Sequence, residues 1–213
     1  MAKESKFSRK NFTPFHYFLG LFAINLVVMT IAGIFYNGHF HFWTDPLSDL
    51  GDAFNAKGLP NPISSFLYSA DMALSAFVMF LIANRFRSDH KMNIFKPALG
   101  VIGGLGAIIA AFSPDDIAHP YHAFGSGMFI ASLWALALIY LFDIRKNVGW
   151  TKFVILQILL QIPILAYAGT YFLSIDPLSY ILQKFAFASL AAVLLFSVRK
   201  YERTYILRNF SAS

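Results

Sequence analysis

Two charges lie inside apolar stretches where a charge is costly. Asp71 falls within Ile63–Ala83 and Lys184 within Leu178–Val198. An ionised side chain at the centre of a membrane helix costs about 2.5–3.5 kcal/mol on insertion scales. Such residues face the interior of a bundle and find partners. Both enter their segments from the same side, so an Asp71–Lys184 ion pair is expected. It either holds two helices together or forms a substrate or proton site. The alternative for Lys184 is to snorkel alone to the interface.

The histidines offer a second chemistry. His39 and His41 are two apart, and His119 and His122 are three apart. Neutral imidazoles suit zinc, and three protein ligands plus water make a catalytic site. Its activated water could attack a lipid ester or amide, with a nearby Asp orienting a ligand imidazole. The spacing lacks the His-Glu-x-x-His pattern of a helical zinc site. The other reading is that these are interfacial histidines, with His122 hydrogen-bonding at the top of a helix.

Ser48-Asp49 pairs a hydroxyl with a carboxylate. A Ser nucleophile needs a base within reach and an oxyanion hole. The pair sits in Asp45-Pro46-Leu47-Ser48-Asp49-Leu50-Gly51, where Pro and Gly mark a turn, so capping of backbone N–H groups is the preferred role. Gln157 and Gln161 share one helical face and should link helices. The small residues Gly100, Gly103, Gly104 and Gly106 mark a close helix–helix approach, not a phosphate loop.

The elements that must hold these groups are apolar helices. Of 213 residues 57% are hydrophobic and 13% charged, with 24 Phe and no Cys; mean hydropathy is +0.58. Soluble domains carry roughly 25% charged residues. The lack of Cys excludes disulfides, thiolate metal sites and Cys nucleophiles. Six stretches approach the roughly 20 residues needed to span a bilayer: Phe15–Tyr36, Ile63–Ala83, Ile94–Phe112, Tyr121–Leu141, Phe153–Leu173 and Leu178–Val198. The first is too long for a signal-peptide core and is read as an uncleaved span. A basic cytoplasmic N-terminus (1–14), a transmembrane domain (15–198) and a basic cytoplasmic tail (199–213) complete the division.

With six spans, fifteen of the 17 Lys and Arg fall on one side, at the termini and in the loops after spans two and four. Only Lys57 lies opposite, while Lys184 is within a span. Basic residues mark the cytoplasmic side, so the net charge of +6 reports topology and not nucleic-acid binding. The opposite side gathers acidic residues and four of the six His. Asp45-Pro46-Leu47-Ser48 recurs as Asp176-Pro177-Leu178-Ser179, too short to mark a repeat.

Pro46-Leu47-Ser48-Asp49-Leu50-Gly51 followed by Asn61-Pro62 resembles an uncharacterised prokaryotic membrane family (domain of unknown function 998). That family is similar to the Frag1/DRAM/Sfk1 group of eukaryotic membrane proteins. The likeness returns at Phe112-Ser113-Pro114-Asp115-Asp116 and at His122-Ala123-Phe124-Gly125. The resemblance implies six helices, a Ser-Asp motif in the first outer loop and a histidine opening the fourth helix. It implies no established activity. Eukaryotic relatives are linked to lipid-anchor remodelling and lysosomal membranes. His39, His41 and His119 lie outside the likeness.

The expected fold is an all-α, six-helix membrane bundle with both termini cytoplasmic, in the cell membrane. Ser48, Asp49, Asp115 and His122 should meet at its outer mouth, above an aromatic pocket between spans two, four and six. The leading functional expectation is binding or sensing of membrane lipid or a small amphipathic ligand. A zinc-assisted lipid hydrolase and a small transporter using Asp71 and Lys184 are the alternatives. Topology is checked by single cysteines in this cysteine-free chain. Those at Ser88, Asn147 and Ser213 should be shielded from an impermeant thiol reagent in intact cells, and those at Asn55 and Ser113 labelled. The reverse pattern would overturn the orientation.

Overall fold

A computed structural model describes residues 12–87 and 94–206. Lys3, Lys6, Arg9, Lys10, Lys91 and Arg208, and the labelling positions Ser88 and Ser213, lie outside the described residues. Six α-helices follow one another: α1 Pro14–Ile34, α2 Pro62–Arg87, α3 Phe95–Phe112, α4 Asp115–Val148, α5 Trp150–Phe172 and α6 Leu178–Tyr201. All six are long and apolar enough to cross a membrane. An apolar medium leaves backbone groups to be satisfied within each segment, which favours helices. Among the described residues the only β-pairing is an isolated bridge, Phe54 to Pro60.

α2, α3 and α4 pack in series, α6 closes on α4 and α5, and α1 lies against α2 and α6. The core runs through Met79, Ile82, Leu133, Leu136, Leu190 and Leu194. α1 buries only Phe18, Leu21 and Ala32, and α5 only Phe153 and Leu160. Their other faces expose Leu26, Val27, Ile158, Ile162 and Leu165, rows that suit lipid contact.

The glycine stripe of α3 lets two helices touch backbone to backbone. A Cβ on Gly106 would stand 2.6 Å from the Gly125 carbonyl oxygen, and one on Gly125 would stand 2.7 Å from the Ala110 nitrogen. Gly103 faces Ser132 and Met79, and Gly100 faces Ala83. Gln161 accepts from Trp134 of α4 at 3.0 Å and donates to Gln157 at 3.3 Å, so the glutamine face does link two helices.

At the end carrying Arg145 and Arg199, polar contacts lock three helices. Lys96 of α3 pairs with Asp143 of α4 at 2.8 Å, and its ammonium stands 4.1 Å from the Tyr140 ring and 4.6 Å from the Tyr201 ring. Glu202, just past α6, accepts from the Phe15 N–H at 2.8 Å and the Thr13 hydroxyl at 3.0 Å. A carboxylate there complements the exposed N–H groups and positive dipole end of α1.

The fourth helix departs most from expectation. It begins at Asp115 instead of Tyr121, with a kink at Ala118 (φ −132°, ψ 39°) two residues before Pro120. What reads as a polar loop is a helical first turn. Asn55 and Ser113 are also buried, at 6% and 7% exposure, so exposed Ala56 and Ser174 are the better labelling positions at that end.

The α3–α4 contact yields a stability prediction. Gly125→Ala should cost about 1–3 kcal/mol by forcing two backbones apart, read as a lower melting temperature in detergent. Gly127, with nothing within 4 Å of its added Cβ, should tolerate Ala within about 0.5 kcal/mol. Equal effects at both positions would show that the close approach carries no stability.

Candidate functional site

The long connection between α1 and α2 is held by named hydrogen bonds. A 3-10 turn, Leu47–Gly51, rests on the start of α2. There Ser64 donates to the Leu50 carbonyl at 2.8 Å and Ser65 to the Gly51 carbonyl at 2.9 Å. Gly51 is required, because a Cβ there would stand 2.6 Å from the Tyr68 ring. Asn55 accepts from the Lys57 and Leu59 N–H groups, each at 2.9 Å, and Asn61 donates to the Asp52 carbonyl at 3.1 Å.

Asp52 and Asp116 then fasten this connection to α4 reciprocally. The Asp52 carboxylate accepts from the Asp116 N–H at 3.2 Å. The Asp116 carboxylate accepts from the Ala53 and Phe54 N–H groups at 3.1 and 3.0 Å. A carboxylate at a helix N-terminus satisfies orphan donors and meets the positive end of the dipole. This explains the early start of α4.

The clamp places Asp115 and His119 on the wall of a cavity of about 510 Å³. The 3-10 region contributes Pro46, Ser48 and Asp49, while α5 contributes Tyr167 and Tyr171. Asp176, Tyr180 and Gln183 close the far side at the start of α6. Both copies of the Asp-Pro-Leu-Ser tetrapeptide therefore reach the same cavity, and Ser179 donates to Asp176 at 2.8 Å. The Asp115 carboxylate meets His119 Nδ1 at 2.5 Å, and His119 Nε2 stands 3.5 Å from the Tyr171 hydroxyl. Gln183 accepts from the Leu47 N–H at 2.9 Å and donates to the Tyr167 hydroxyl at 3.3 Å, tying the turn to α5 and α6.

Ser48, Asp49 and Asp115 thus share one cavity, but His122 does not line it. His122 is buried, with Nδ1 at 2.7 Å from the Ser113 carbonyl and Nε2 at 3.4 Å from the Tyr68 hydroxyl. The carbonyl only accepts, so Nδ1 carries the proton and Nε2 accepts from Tyr68. His122 joins the end of α3 to α2, and His119 takes the place expected for it. The cavity lies among α4, α5 and α6, not α2, because Tyr68 fills the space between α2 and the 3-10 turn.

Three further expectations need correction. Asp71 and Lys184 do not pair. Asp71 accepts from Asn25 of α1 at 3.1 Å, and Asn25 also donates to Ser75 at 2.7 Å. Lys184 donates to the Asp45 carbonyl and stands 5.8 Å from the Phe42 ring. The two charges face different neighbours around the bundle. Ser48 and Asp49 provide no cap among the described residues: no side-chain bond caps the turn that contains them, and Asp52 caps α4 instead. The histidines do not gather either. His39 lines a separate cavity of about 440 Å³ beside Asn61, and His41 is exposed. Among the described residues no group of three or more His, Cys, Asp or Glu could hold a metal ion.

Electrostatics single out Asp49. Burial, then Asp52, Asp45 and Asp115, push its carboxyl from 3.8 up to about 7, against a lowering by Lys184. Asp52 is also pushed up to about 7, by burial and Asp116, although the Asp116 N–H draws it down. Asp49 lacks such a donor among the described residues. No family model, curated protein or solved structure matches the chain.

A carboxyl raised on folding opposes folding when ionised. The penalty grows as pH rises from the unfolded value towards about 7 and is complete above it. Asp49→Asn should therefore raise stability at pH 8 by about 1 kcal/mol, after allowance for solvent screening at this half-buried position. The gain should fade by pH 5, measured by thermal unfolding in detergent. Destabilisation at pH 8 would show instead that ionised Asp49 holds the turn.

Proposed function

We propose that this chain is a multi-pass membrane protein with both termini in the cytoplasm that binds the head group of a lipid or small amphipathic ligand in the cavity at its outer end. One observation carries the reading: a cavity of about 510 Å³ walled by polar and aromatic side chains at the ends of three apolar helices. Ligand sites combine such aromatic walls with a few convergent polar groups. Tyrosine, with an apolar ring and a polar tip, is enriched where lipid meets water. Phe172, exposed at the end of α5, lines the cavity, and an acyl chain could rest against it while its head group enters. The distribution of basic residues supports the orientation.

The hydrolase reading has less support. Asp115 and His119 form an oriented dyad, but no described contact joins Ser48 to His119. The nucleophile–base step therefore lacks its geometry. The transporter reading rested on an Asp71–Lys184 pair that is not formed.

The test is binding of ten-carbon amphipaths with neutral, anionic and cationic heads to protein in a neutral detergent, followed by thermal shift. At least one should bind saturably, and Ser48→Phe, which fills part of the cavity, should weaken that binding about tenfold or more. Absence of saturable binding across the panel would overturn the reading, as would equal binding by Ser48→Phe.

A further inference from the structure

The cavity wall has a chemical bias. Asp49, Asp115 and Asp176 line it, while no Lys or Arg does. Lys184, the nearest compensating cation, directs its ammonium to the Asp45 backbone carbonyl. The remaining polar wall is rich in hydroxyl oxygens, from Ser48, Tyr167, Tyr171 and Tyr180. Of the three carboxylates, Asp115 meets His119 and Asp176 accepts from Ser179, whereas Asp49 has no donor among the described residues. A half-buried carboxylate without a donor, at a cavity surface, is an unfilled acceptor.

From this lining we infer that the cavity takes a primary ammonium group, with Asp49 as its principal partner and Asp115, Asp176 and the tyrosine hydroxyls as further acceptors. The assignment rests on the preceding reading for the lipid character of the ligand, and it adds the charge. A phosphate or sulfate head would enter a wall of three carboxylates with no Lys or Arg to meet it. A neutral polyol would leave the carboxylate charges uncompensated. An ammonium offers three donors and a full positive charge, and it relieves the mutual repulsion of Asp49 with Asp45, Asp52 and Asp115. The group could come from an amphipathic amine or from a small soluble one, so the experiment must separate these sources.

The groups facing Asp49 fix the pH dependence. Asp45 and Asp52 belong to its own connection, Tyr36 follows α1, Asp115 comes from α4, and Tyr180 and Lys184 come from α6; His119 and Asp176 share the cavity. An alkylammonium, with a pKa near that of Lys at about 10.4, stays charged between pH 6 and pH 8. Asp49, pushed up to about 7, is mostly ionised at pH 8 and mostly neutral at pH 6. Affinity should therefore fall about tenfold from pH 8 to pH 6.

The experiment titrates decylamine, decyl phosphate, decanol and butylamine into the full chain in a neutral detergent, by calorimetry at pH 8 and pH 6. Decylamine should bind at least tenfold tighter than decyl phosphate or decanol at pH 8. Asp49→Asn should remove about tenfold of that affinity and most of its pH dependence. That variant is expected to be at least as stable as the native chain at pH 8, so lost binding cannot be ascribed to unfolding. Tight binding of butylamine would uphold the ammonium site and overturn the amphipathic ligand. Equal or tighter binding of decyl phosphate or decanol would overturn the ammonium assignment while leaving an amphipath site. No binding by any of the four would remove both. Unchanged amine affinity in Asp49→Asn would overturn the role of Asp49.

Discussion

An apolar helix that ends near a membrane surface still has four N–H groups without intrahelical partners. The structure meets this constraint with carboxylates borrowed from distant segments. Glu202 serves the start of α1 at one end, and Asp52 serves the start of α4 at the other. The second has wider consequences because it is reciprocal: Asp116 in the first turn of α4 accepts two N–H groups from the segment after Asp52. One exchange of backbone donors thus fixes both the long connection and the first helical register of α4. That register puts Asp115 and His119 one turn apart on the cavity wall. The cavity is a by-product of capping.

The same clamp crowds negative charge. Asp45, Asp49, Asp52, Asp115 and Asp116 come together, and the neighbouring cation is Lys184. Asp52 and Asp116 offset this cost through N–H bonds, and Asp45 through the His41 N–H at 2.8 Å. Asp49 has no such N–H bond among the described residues, and burial with the neighbouring carboxylates pushes its carboxyl up to about 7. A protein selected for stability alone would place Asn there. An uncompensated acid on a cavity wall is understandable when a cationic partner completes it, and this links the energetics of the fold to the proposed ligand.

The features legible in the sequence are those that one helix carries by itself. Span number follows from apolar length, and the glycine stripe of α3 announces a close approach that the Gly106–Gly125 contact bears out. Features that depend on which helices are neighbours were not legible. Asp71 and Lys184 enter their helices from the same side, but helical period does not tell which faces meet, and Asp71 looks at α1 instead of α6. His122 and His119 are three apart, so both lie near one face, and only the kink at Ala118 with Pro120 decides which one turns to the cavity. Gln183 stands beside the more conspicuous Lys184, and an amide within an apolar span is a signal of its own. Asp52 and Asp116 were visible as acids but carry no spacing signature, since their partners are backbone groups more than sixty residues away.

Asp71 shows why burial and function should be kept apart here. It is the deeper acid, 1% exposed, and its Oδ2 has no hydrogen-bond partner among the described residues. By cost alone it would be the first candidate for a site. Neither cavity at the loop end is lined by it, however, and its other carboxylate oxygen is engaged by Asn25. α1 buries only three apolar residues, so packing alone ties it weakly to the bundle. Hydrogen bonds between membrane helices contribute roughly 0.6–2 kcal/mol each. One asparagine donating to both Asp71 and Ser75 therefore supplies a sizeable share of what holds α1 in register against α2. That register sets where the chain leaves α1 and hence where the long connection begins. The buried acid thus acts on the cavity through the frame, while the half-buried Asp49 is the one a ligand can reach.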